Sequence, residues 1–320
     1  MKKMLITGAT GFIGHHLVEE FIKDFHIICL IRPGTKNLER LYSWYDKITI
    51  IDHDIRNKIN VEKHTSLSNV DIVLHAGGNP SSAFSLNDPV TVVYDNVVGT
   101  INLLEFARAA GVSNFVYYGA AESFGPNKTF KTPFSEDDSY NSISPYGASK
   151  ASGAEFCSAY SKFYEMTVSI INIANTFGER SQSNRLPVVI IKNILNKQTT
   201  KLVTHNGVVG GRNWFHAADV ALHTRFILDN QKTKFEKWNS SGNFFRPNLS
   251  LALDIAEIMD STFLYELVEG DSKHQTSMLI NSISSSKLYE YGYEDKISYT
   301  DRLIQTVNWY KMNPLWLERK

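Results

Sequence analysis

Short apolar runs alternate with longer amphipathic segments from the start of the chain to about residue 170. The apolar runs have the length and the β-branched and aromatic content of strands. They lie at Met4 to Thr7, Ile27 to Ile31, Ile48 to Ile51, Ile72 to His75, Phe115 to Tyr118 and Val168 to Ile173. Because strands that alternate with helices form a parallel sheet covered by helices, the pattern predicts an α/β fold with a doubly wound parallel sheet of six strands.

The segment from Thr91 to Ala110 shows the helical period most clearly. Apolar residues recur in it every three or four positions, at Val93, Val97, Ile101, Leu104 and Ala107. Gly111 follows the segment, as a C-cap glycine follows a helix. We therefore expect a helix here with its apolar face on the sheet.

Beyond residue 175 the alternation of strands and helices weakens. The last third of the chain combines an apolar helix, Leu251 to Met259, with polar loops and a tail that carries Trp309, Tyr310 and Trp316. We predict a sheet domain formed by residues 1–174 and 212–236. A smaller C-terminal α/β domain, formed by residues 175–211 and 237–320, would bind substrate.

Composition narrows the classes of ligand. The chain has 33 basic and 33 acidic side chains, so no overall field attracts nucleic acid or an anionic membrane. An anionic ligand must then be held by a few placed groups, which favours a small-molecule site. The N-terminal apolar run is broken by Gly8 and Gly11, which excludes a signal peptide or membrane span. With Cys29 and Cys157 expected to be buried thiols, we predict a cytoplasmic protein.

The most specific local motif joins the first strand to the first helix. Gly8, Gly11 and Gly14 form a Gly-x-x-Gly-x-x-Gly turn directly after the strand, and a helix is expected from about Phe12. Glycines there allow a sharp turn and the close approach of a pyrophosphate to the N–H groups at the helix start. A purely structural turn is the alternative, but the position after the first strand favours a Rossmann-type dinucleotide site. Its predicted contacts are Gly8, Thr10, Gly11, Phe12, Ile13 and Gly14.

The end of the second strand bears on the choice between cofactors. NAD sites usually carry an acidic residue there for the ribose 2′-hydroxyl, whereas this chain has Ile31 followed by Arg32. A guanidinium suits a 2′-phosphate, so we predict NADP, with NAD as the alternative. Arg32 could instead be a solvated loop residue beside Pro33 and Gly34.

A tyrosine and a lysine four residues apart form a candidate catalytic pair. Tyr146 and Lys150 would project from one face of a helix. An ammonium group beside a phenol stabilises its phenolate, which can then exchange a proton with a sugar hydroxyl during hydride transfer. Such pairs are common on exposed helices, but this one follows a dinucleotide loop.

With these motifs in order, the sequence resembles the extended short-chain dehydrogenase/reductase family, specifically its nucleotide-sugar epimerases and 4,6-dehydratases, along nearly the whole chain. The matching pieces are Gly8/Gly11/Gly14, Asp54-Ile55, His75-Ala76-Gly77, Asn96 before Gly99-Thr100, Tyr146/Lys150, the segment from Asn175 to Arg180, and the segment from Arg212 to His216 with Asp219-Val220.

The resemblance implies roles for further residues. Asp54 and Ile55 would contact the adenine, His75, Ala76 and Gly77 would line the path of the cofactor, and Asn96 would help to build its site. Asn175, Arg180 and Arg212 would face a nucleotide-diphosphate sugar, with both arginines near its phosphates, which planar guanidinium groups bind well. The resemblance also implies a homodimer that pairs the helices of Thr91 to Ala110 and Tyr146 to Tyr164. No metal, nucleic acid or membrane is among the predicted ligands.

The chain departs from the family after the fifth strand. Relatives carry there a Ser or Thr whose hydroxyl shares the C4 oxygen of the substrate with the tyrosine. Aligned on Phe124-Gly125, this position is Ala120, followed by Ala121 where one dehydratase subgroup has Asp. Glu122 falls at the position of the glutamate that removes the C5 proton. A register shifted by three would bring Ser123 to the hydroxyl position but would lose the Phe-Gly match.

These features favour a nucleotide-sugar 4,6-dehydratase that oxidises C4 transiently. A 4-epimerase or a 4-keto reductase is the first alternative, because both share every other motif. A binding protein that has lost catalysis is the second. The alanine at 120 could be a substitution made to trap a substrate complex or a natural variant that relies on Tyr146 alone.

Overall fold

The computed structural model describes residues 1–61, 64–129, 131–270 and 280–319. In this part of the chain the strands are β1 (Lys3–Thr7), β2 (His26–Ile31), β3 (Thr49–Asp52), β4 (Ile72–His75), β5 (Asn114–Ala120), β6 (Val168–Ile173), β7 (Thr176–Phe177), β8 (Thr200–His205), β9 (Val208–Val209), β10 (Gly211–Arg212), β11 (Phe215–His216), β12 (Phe235–Ser240), β13 (Arg246–Pro247), β14 (Tyr265–Glu269) and β15 (Ile280–Asn281). The helices are α1 (Phe12–Phe21), α2 (Ser82–Asn87), α3 (Pro89–Val93), α4 (Gly99–Ala110), α5 (Pro145–Tyr164), α6 (Leu186–Leu195), α7 (Ala217–Asn230), α8 (Asn248–Ile258), α9 (Ser286–Glu290) and α10 (Tyr299–Met312).

The largest sheet has seven parallel strands in the order β3-β2-β1-β4-β5-β6-β12. This confirms the doubly wound α/β fold, and all six predicted strands are present. The predicted number of six is wrong, because β12 adds a seventh strand beside β6. Its sequence, Phe-Glu-Lys-Trp-Asn-Ser, mixes charged, polar and aromatic residues, so it lacks the apolar run by which the other strands were recognised.

The helix predicted over Thr91 to Ala110 is present in three parts. It comprises α3, a π-helical turn at Tyr94–Val98, and α4. Gly111 has φ of 66° and ends α4 in the left-handed conformation, as predicted. A π-helical turn widens the helix by one residue and often marks a functional position. Here it carries Asn96.

Contacts along the chain divide it into two compact units. The first unit comprises residues 1–125, 136–173 and 218–240, and the second comprises residues 126–135, 174–217 and 241–320. The chain returns to the first unit at residue 218, whereas the sequence pattern suggested 212. It stays there to residue 240, because β12 completes the large sheet.

The second unit contains small sheets with the orders β13-β10-β15, β11-β7 and β14-β8-β9. Its core is formed by apolar residues of α6, α8 and α10, such as Ile191, Leu251 and Leu303, all fully buried. The unit is hard to read from sequence because most of its described strands have only two residues. Among the described helices, none is both long and apolar enough to cross a membrane.

Candidate active site

The glycine loop after β1 forms a cradle that larger residues would fill. Gly8 has φ of 70°, and a Cβ atom there would lie 2.6 Å from the carbonyl group of Ala76. A Cβ atom at Gly14 would overlap the carbonyl oxygen of Gly8. Helix α1 starts at Phe12 with Gly11 as its N-cap and has no acidic residue in its first turn. Its first N–H groups therefore remain suited to an anion such as a pyrophosphate.

A ring of four charged residues lies at the ends of β2 and β3. The Nη2 atom of Arg32 is 2.7 Å from Oδ1 of Asp95, and its Nε is 3.9 Å from Oδ2 of Asp54. Arg56 closes the ring, since its Nη2 is 2.5 Å from Oδ2 of Asp54 and its Nε is 3.9 Å from Oδ1 of Asp95. The hydrogen bond from Arg56 holds the pKa of Asp54 below its usual value. Two arginines and two aspartates leave this cluster without net charge.

His75 is completely buried at the end of β4. Its Nδ1 lies 2.8 Å from the hydroxyl of Thr7, and its Nε2 lies 2.9 Å from the hydroxyl of Thr100. Burial, with a smaller contribution from the charge of Lys150, lowers the pKa of His75 to about 3, so the ring is neutral. Since the Thr7 hydroxyl also accepts the N–H of Gly77, the ring fixes main chain beside the glycine loop. Its side chain thus supports the main chain along the predicted cofactor path.

Asn96, at the π-helical turn, links three segments of the first unit. Its side-chain oxygen accepts the N–H of Asn79 at 2.7 Å, and its amide donates to the Asn79 carbonyl at 3.1 Å. The amide also donates to the Ser149 hydroxyl at 2.9 Å. Ser149 in turn donates to the carbonyl of Tyr146. Asn96 thus anchors the first turns of α5, which carry the candidate catalytic pair.

Tyr146 and Lys150 lie on the first two turns of α5. The Ser144 hydroxyl caps this helix by accepting the N–H of Gly147 at 3.0 Å. Lys150 is 8% exposed, and its Nζ lies 4.3 Å from the centre of the Tyr117 ring on β5. The Tyr117 hydroxyl also donates to the carbonyl of Lys150 at 3.0 Å. Burial lowers the pKa of Lys150 to about 8.

Glu122 lies in a 3-10 turn, Ala121–Phe124, directly after β5. Its Oε1 accepts hydrogen bonds from the hydroxyls of Ser82, at 2.7 Å, and Ser144, at 2.5 Å. Within the described ranges no hydrogen bond reaches its Oε2. Because Ser144 is also the N-cap of α5, the cap ties this carboxylate to the helix that carries Tyr146.

The residues around Glu122 bear on the missing hydroxyl. Ala120 is the last residue of β5 and is 7% exposed, and Ala121 is buried. Ser123 is also buried, and its hydroxyl donates to the carbonyl of Gly147 at 3.3 Å. The Ser123 hydroxyl is therefore directed to the main chain of α5.

The predicted substrate residues belong to the second unit. Arg180 has φ of 59°, and its guanidinium carbon lies 5.7 Å from the centre of a Trp309 ring. Arg212 lies on β10, and Asn175 is half-buried just before β7. All the predicted cofactor and catalytic residues lie in the first unit, and most of them surround the strand ends of its large sheet.

Sequence reasoning missed several polar partners. Arg56 and Asp95 complete the charged ring, Ser82 and Ser144 hold Glu122, and Tyr117 holds Lys150. Only Ser144 carries a local signal, because a serine directly before Pro145 is a typical N-cap. Tyr117, Ser82 and Asp95 act across separations of 33 to 63 residues that no local pattern reveals. Arg56 lies two residues from Asp54, but no motif marks it.

Comparison with known proteins identifies a family and similar folds. The model of the NAD dependent epimerase/dehydratase family matches residues 4–241. The dTDP-D-glucose 4,6-dehydratase of Mus musculus is 25% identical over an alignment of 331 positions, which spans 98% of this chain and 89% of the relative. Among solved structures, the dTDP-glucose 4,6-dehydratase of Streptomyces venezuelae with NAD bound has a TM-score of 0.88 at 24% identity, covering 99% of each chain. The UDP-glucose 4-epimerase of Thermotoga maritima with UDP-glucose has a TM-score of 0.85 at 21% identity, covering 98% of this chain and 99% of that one.

Proposed function

Because the chain belongs to the NAD dependent epimerase/dehydratase family of nucleotide-sugar enzymes, we propose that it is a 4,6-dehydratase-like enzyme that oxidises C4 of a nucleotide-diphosphate hexose transiently. Tyr146, Lys150 and Glu122 are its proposed catalytic residues. The observation that carries this proposal is the Glu122 carboxylate, which is fixed through Ser144 to the helix of Tyr146 and keeps Oε2 without a hydrogen bond from the described residues.

The residues of the first unit fit a dinucleotide, since the glycine cradle and the uncharged first turn of α1 leave N–H groups for its pyrophosphate. When bound, the cofactor accepts a hydride from C4 of the hexose and returns it to C6.

In the proposed reaction Tyr146 accepts the proton of the 4-hydroxyl, and Lys150 stabilises the resulting phenolate. Glu122 removes the C5 proton, which departs with the C6 hydroxyl as water. The proton that Tyr146 takes from the 4-hydroxyl is matched, in the overall balance, by the proton that C5 regains when the hydride returns to C6. Oε2 of Glu122 suits its step because both hydroxyl donors, Ser82 and Ser144, bind Oε1.

NADP is the proposed cofactor within this NAD dependent family. Arg32 is joined by Arg56, so two guanidinium groups meet at the ends of β2 and β3. Both guanidinium groups can bind a 2′-phosphate if the phosphate displaces Asp95 from Arg32. NAD remains the alternative because the ring of Arg32, Asp54, Arg56 and Asp95 carries no net charge.

Ala120 is proposed to stand where relatives carry the Ser or Thr that binds the C4 oxygen. Two observations support this register over the one that uses Ser123. Glu122 then has the position of the C5 base, and the Ser123 hydroxyl is bound to the carbonyl of Gly147. The enzyme would then bind its ligands well but react slowly.

The second unit supplies the proposed substrate residues. Asn175, Arg180 and Arg212 would bind the nucleotide-diphosphate sugar, with both arginines at the phosphates. Contact with the Trp309 ring favours one orientation of the Arg180 side chain, so less of its conformational entropy is lost on binding.

A homodimer is the proposed assembly. Exposed apolar side chains occur on the helices that would pair, including Val90, Val93, Phe156 and Phe163, which is 81% exposed. Apolar surface of this kind is stabilised by burial in an interface. Sedimentation should give a dimer at micromolar concentration, and a monomer would contradict this assembly.

Product analysis with a panel of nucleotide hexoses tests the function. The dehydratase yields a 4-keto-6-deoxy product that is lighter by one water, and Glu122→Gln should stop its formation while C4 oxidation continues. A product of unchanged mass would establish a 4-epimerase, and a reduced hexose formed from a 4-keto substrate would establish a 4-keto reductase. Binding of cofactor and sugar nucleotide without any turnover would establish a non-catalytic binding protein.

A further inference from the structure

Two arginines are register partners on neighbouring strands of a small sheet in the second unit. Strand β10 lies between β13 and β15, and its Arg212 is the register partner of Arg246 on antiparallel β13. Directly opposed residues of an antiparallel pair project from the same face. The same row continues to Asn281 on β15. The row therefore presents two guanidinium groups and an amide on one side of the sheet.

Opposed like charges destabilise a strand pair unless another group compensates them. Compensation of Arg246 is partial, because its Nη1 lies 2.8 Å from Oδ2 of Asp254 and its guanidinium carbon lies 4.9 Å and 4.5 Å from the rings of Phe244 and Tyr299. Its Nε is buried and has no hydrogen-bond partner in the described parts of the chain. The protein thus orients this guanidinium without using all of its donors.

We propose that Arg246 is a further arginine of the diphosphate site, acting beside Arg212 on the sugar nucleotide. The inference rests on the proposed function, which places Arg212 near the phosphates. A diphosphate carries at least two negative charges on adjacent phosphoryl groups, so guanidinium groups on two directly paired residues match it in charge. Neither sequence pattern nor resemblance singles out Arg246, because only strand register brings it opposite Arg212.

A structural role is the competing explanation for Arg246. Its contacts with Asp254 on α8 and Tyr299 on α10 could simply hold these helices to β13, because the Tyr299 hydroxyl also donates to Asp254 at 3.1 Å. Asp254→Asn separates the two roles. This variant removes the ion pair but keeps the guanidinium group. If Arg246 has only a structural role, Asp254→Asn should lose as much affinity for the ligand as a variant without Arg246. If Arg246 binds the ligand, Asp254→Asn should keep or increase the affinity.

Calorimetric titration with UDP and dTDP tests the proposal on the full-length protein. The variants are titrated with the nucleoside diphosphate that binds the wild type more tightly. Arg246→Gln should raise its Kd about ten- to a hundredfold, which is the effect of losing one charged hydrogen-bonding group. Arg246→Lys should give a Kd between those of the wild type and Arg246→Gln, because lysine keeps the charge but lacks the planar guanidinium group. Asp254→Asn should bind at least as tightly as wild type, and Arg319→Gln, which alters an arginine stacked on Trp316, should not change Kd. Thermal unfolding and NAD(P) binding report whether each variant is folded.

The outcomes separate this inference from the proposed function. Unchanged Kd in Arg246→Gln together with a loss in Arg212→Gln overturns the role of Arg246 alone. Equal losses in Arg246→Gln and Asp254→Asn also overturn it, in favour of the structural role. Wild-type protein that binds neither diphosphate nor any nucleotide sugar overturns the proposed function, and this inference with it.

Discussion

The two units offer anion-binding groups in different ways. In the first unit the candidate groups are main-chain N–H groups at the start of α1, exposed by glycines that leave room for a ligand. In the second unit they are the side chains of arginines on two-residue strands, with Arg212 opposite Arg246. A main-chain site depends on local conformation, and a side-chain site depends on strand register. The first is therefore readable from a motif, and the second is not.

The candidate site residues of the two units also differ in burial. The first unit buries Lys150 and His75, and burial lowers the pKa of both. The second unit leaves Arg212 and Arg246 partly exposed. Buried ionisable groups with shifted pKa values are typical of reaction centres, whereas half-exposed arginines are typical of phosphate binding. We therefore expect variants in the first unit to change rates and variants in the second to change affinities.

The largest expected effect tests whether the first unit controls the rate. Ala120→Thr should raise kcat about a hundred- to thousandfold, because one added hydrogen bond to the C4 oxygen in the transition state is worth about 2–4 kcal/mol. KM should change far less. Steady-state kinetics of Ala120→Thr and Ala120→Ser check this. If both leave kcat unchanged while Ser123→Ala abolishes activity, Ser123 carries the hydroxyl role.

A smaller effect tests the burial of charge at Lys150. Its folded pKa of about 8 lies below the ordinary value of 10.5. The unfolded chain therefore binds more protons between these values, and stability rises with pH in this window. Lys150→Met should be more stable than wild type at pH 7 by on the order of 3 kcal/mol, a gap that closes by about pH 10.5.

Urea unfolding of the cofactor-free protein at pH 7, 9 and 10.5 measures this gap. Lys162→Met is the matched control, because Lys162 is an exposed lysine on the same helix and should give a small difference that does not depend on pH. A wild type that is already the more stable protein at pH 7 would show that the Tyr117 ring and other contacts compensate the burial of the ammonium.

The smallest expected effect concerns Arg32, where the first unit also offers side chains to an anion. Arg32→Ala should weaken NADP binding about tenfold and leave NAD binding nearly unchanged, the loss expected for a partly exposed charge pair. Asp95→Asn should shift the preference towards NADP, because it frees Arg32 from a carboxylate 2.7 Å away. Fluorescence titrations with both cofactors measure the shifts. Equal wild-type affinity for NADP and NAD would contradict the cofactor assignment.

Much of the first unit follows from short-range pattern. Six of its strands, the glycine loop and the cap at Gly111 are all visible in the sequence, because each depends on a few neighbouring residues. The edge strand β12 is not recognisable because most of its residues are charged or polar. Tertiary hydrogen bonds, such as the one from Asn172 to Asn239, allow polar residues of this strand to be buried. In the second unit a different limitation applies, because most of the described strands have only two residues and are too short to show a period.

What the sequence by itself determined is the chemistry available: a glycine cradle, a tyrosine and lysine one helical turn apart, a carboxylate after β5 and an alanine before it. These are set by residue type and local spacing, which act through backbone conformation. Tertiary structure alone decided which groups meet, because Glu122 joins Ser82 and Arg32 joins Asp95 only when distant segments pack. Arg212 is opposed to Arg246 for the same reason, since the register of β10 against β13 is fixed by the hydrogen bonds and packing of the folded chain.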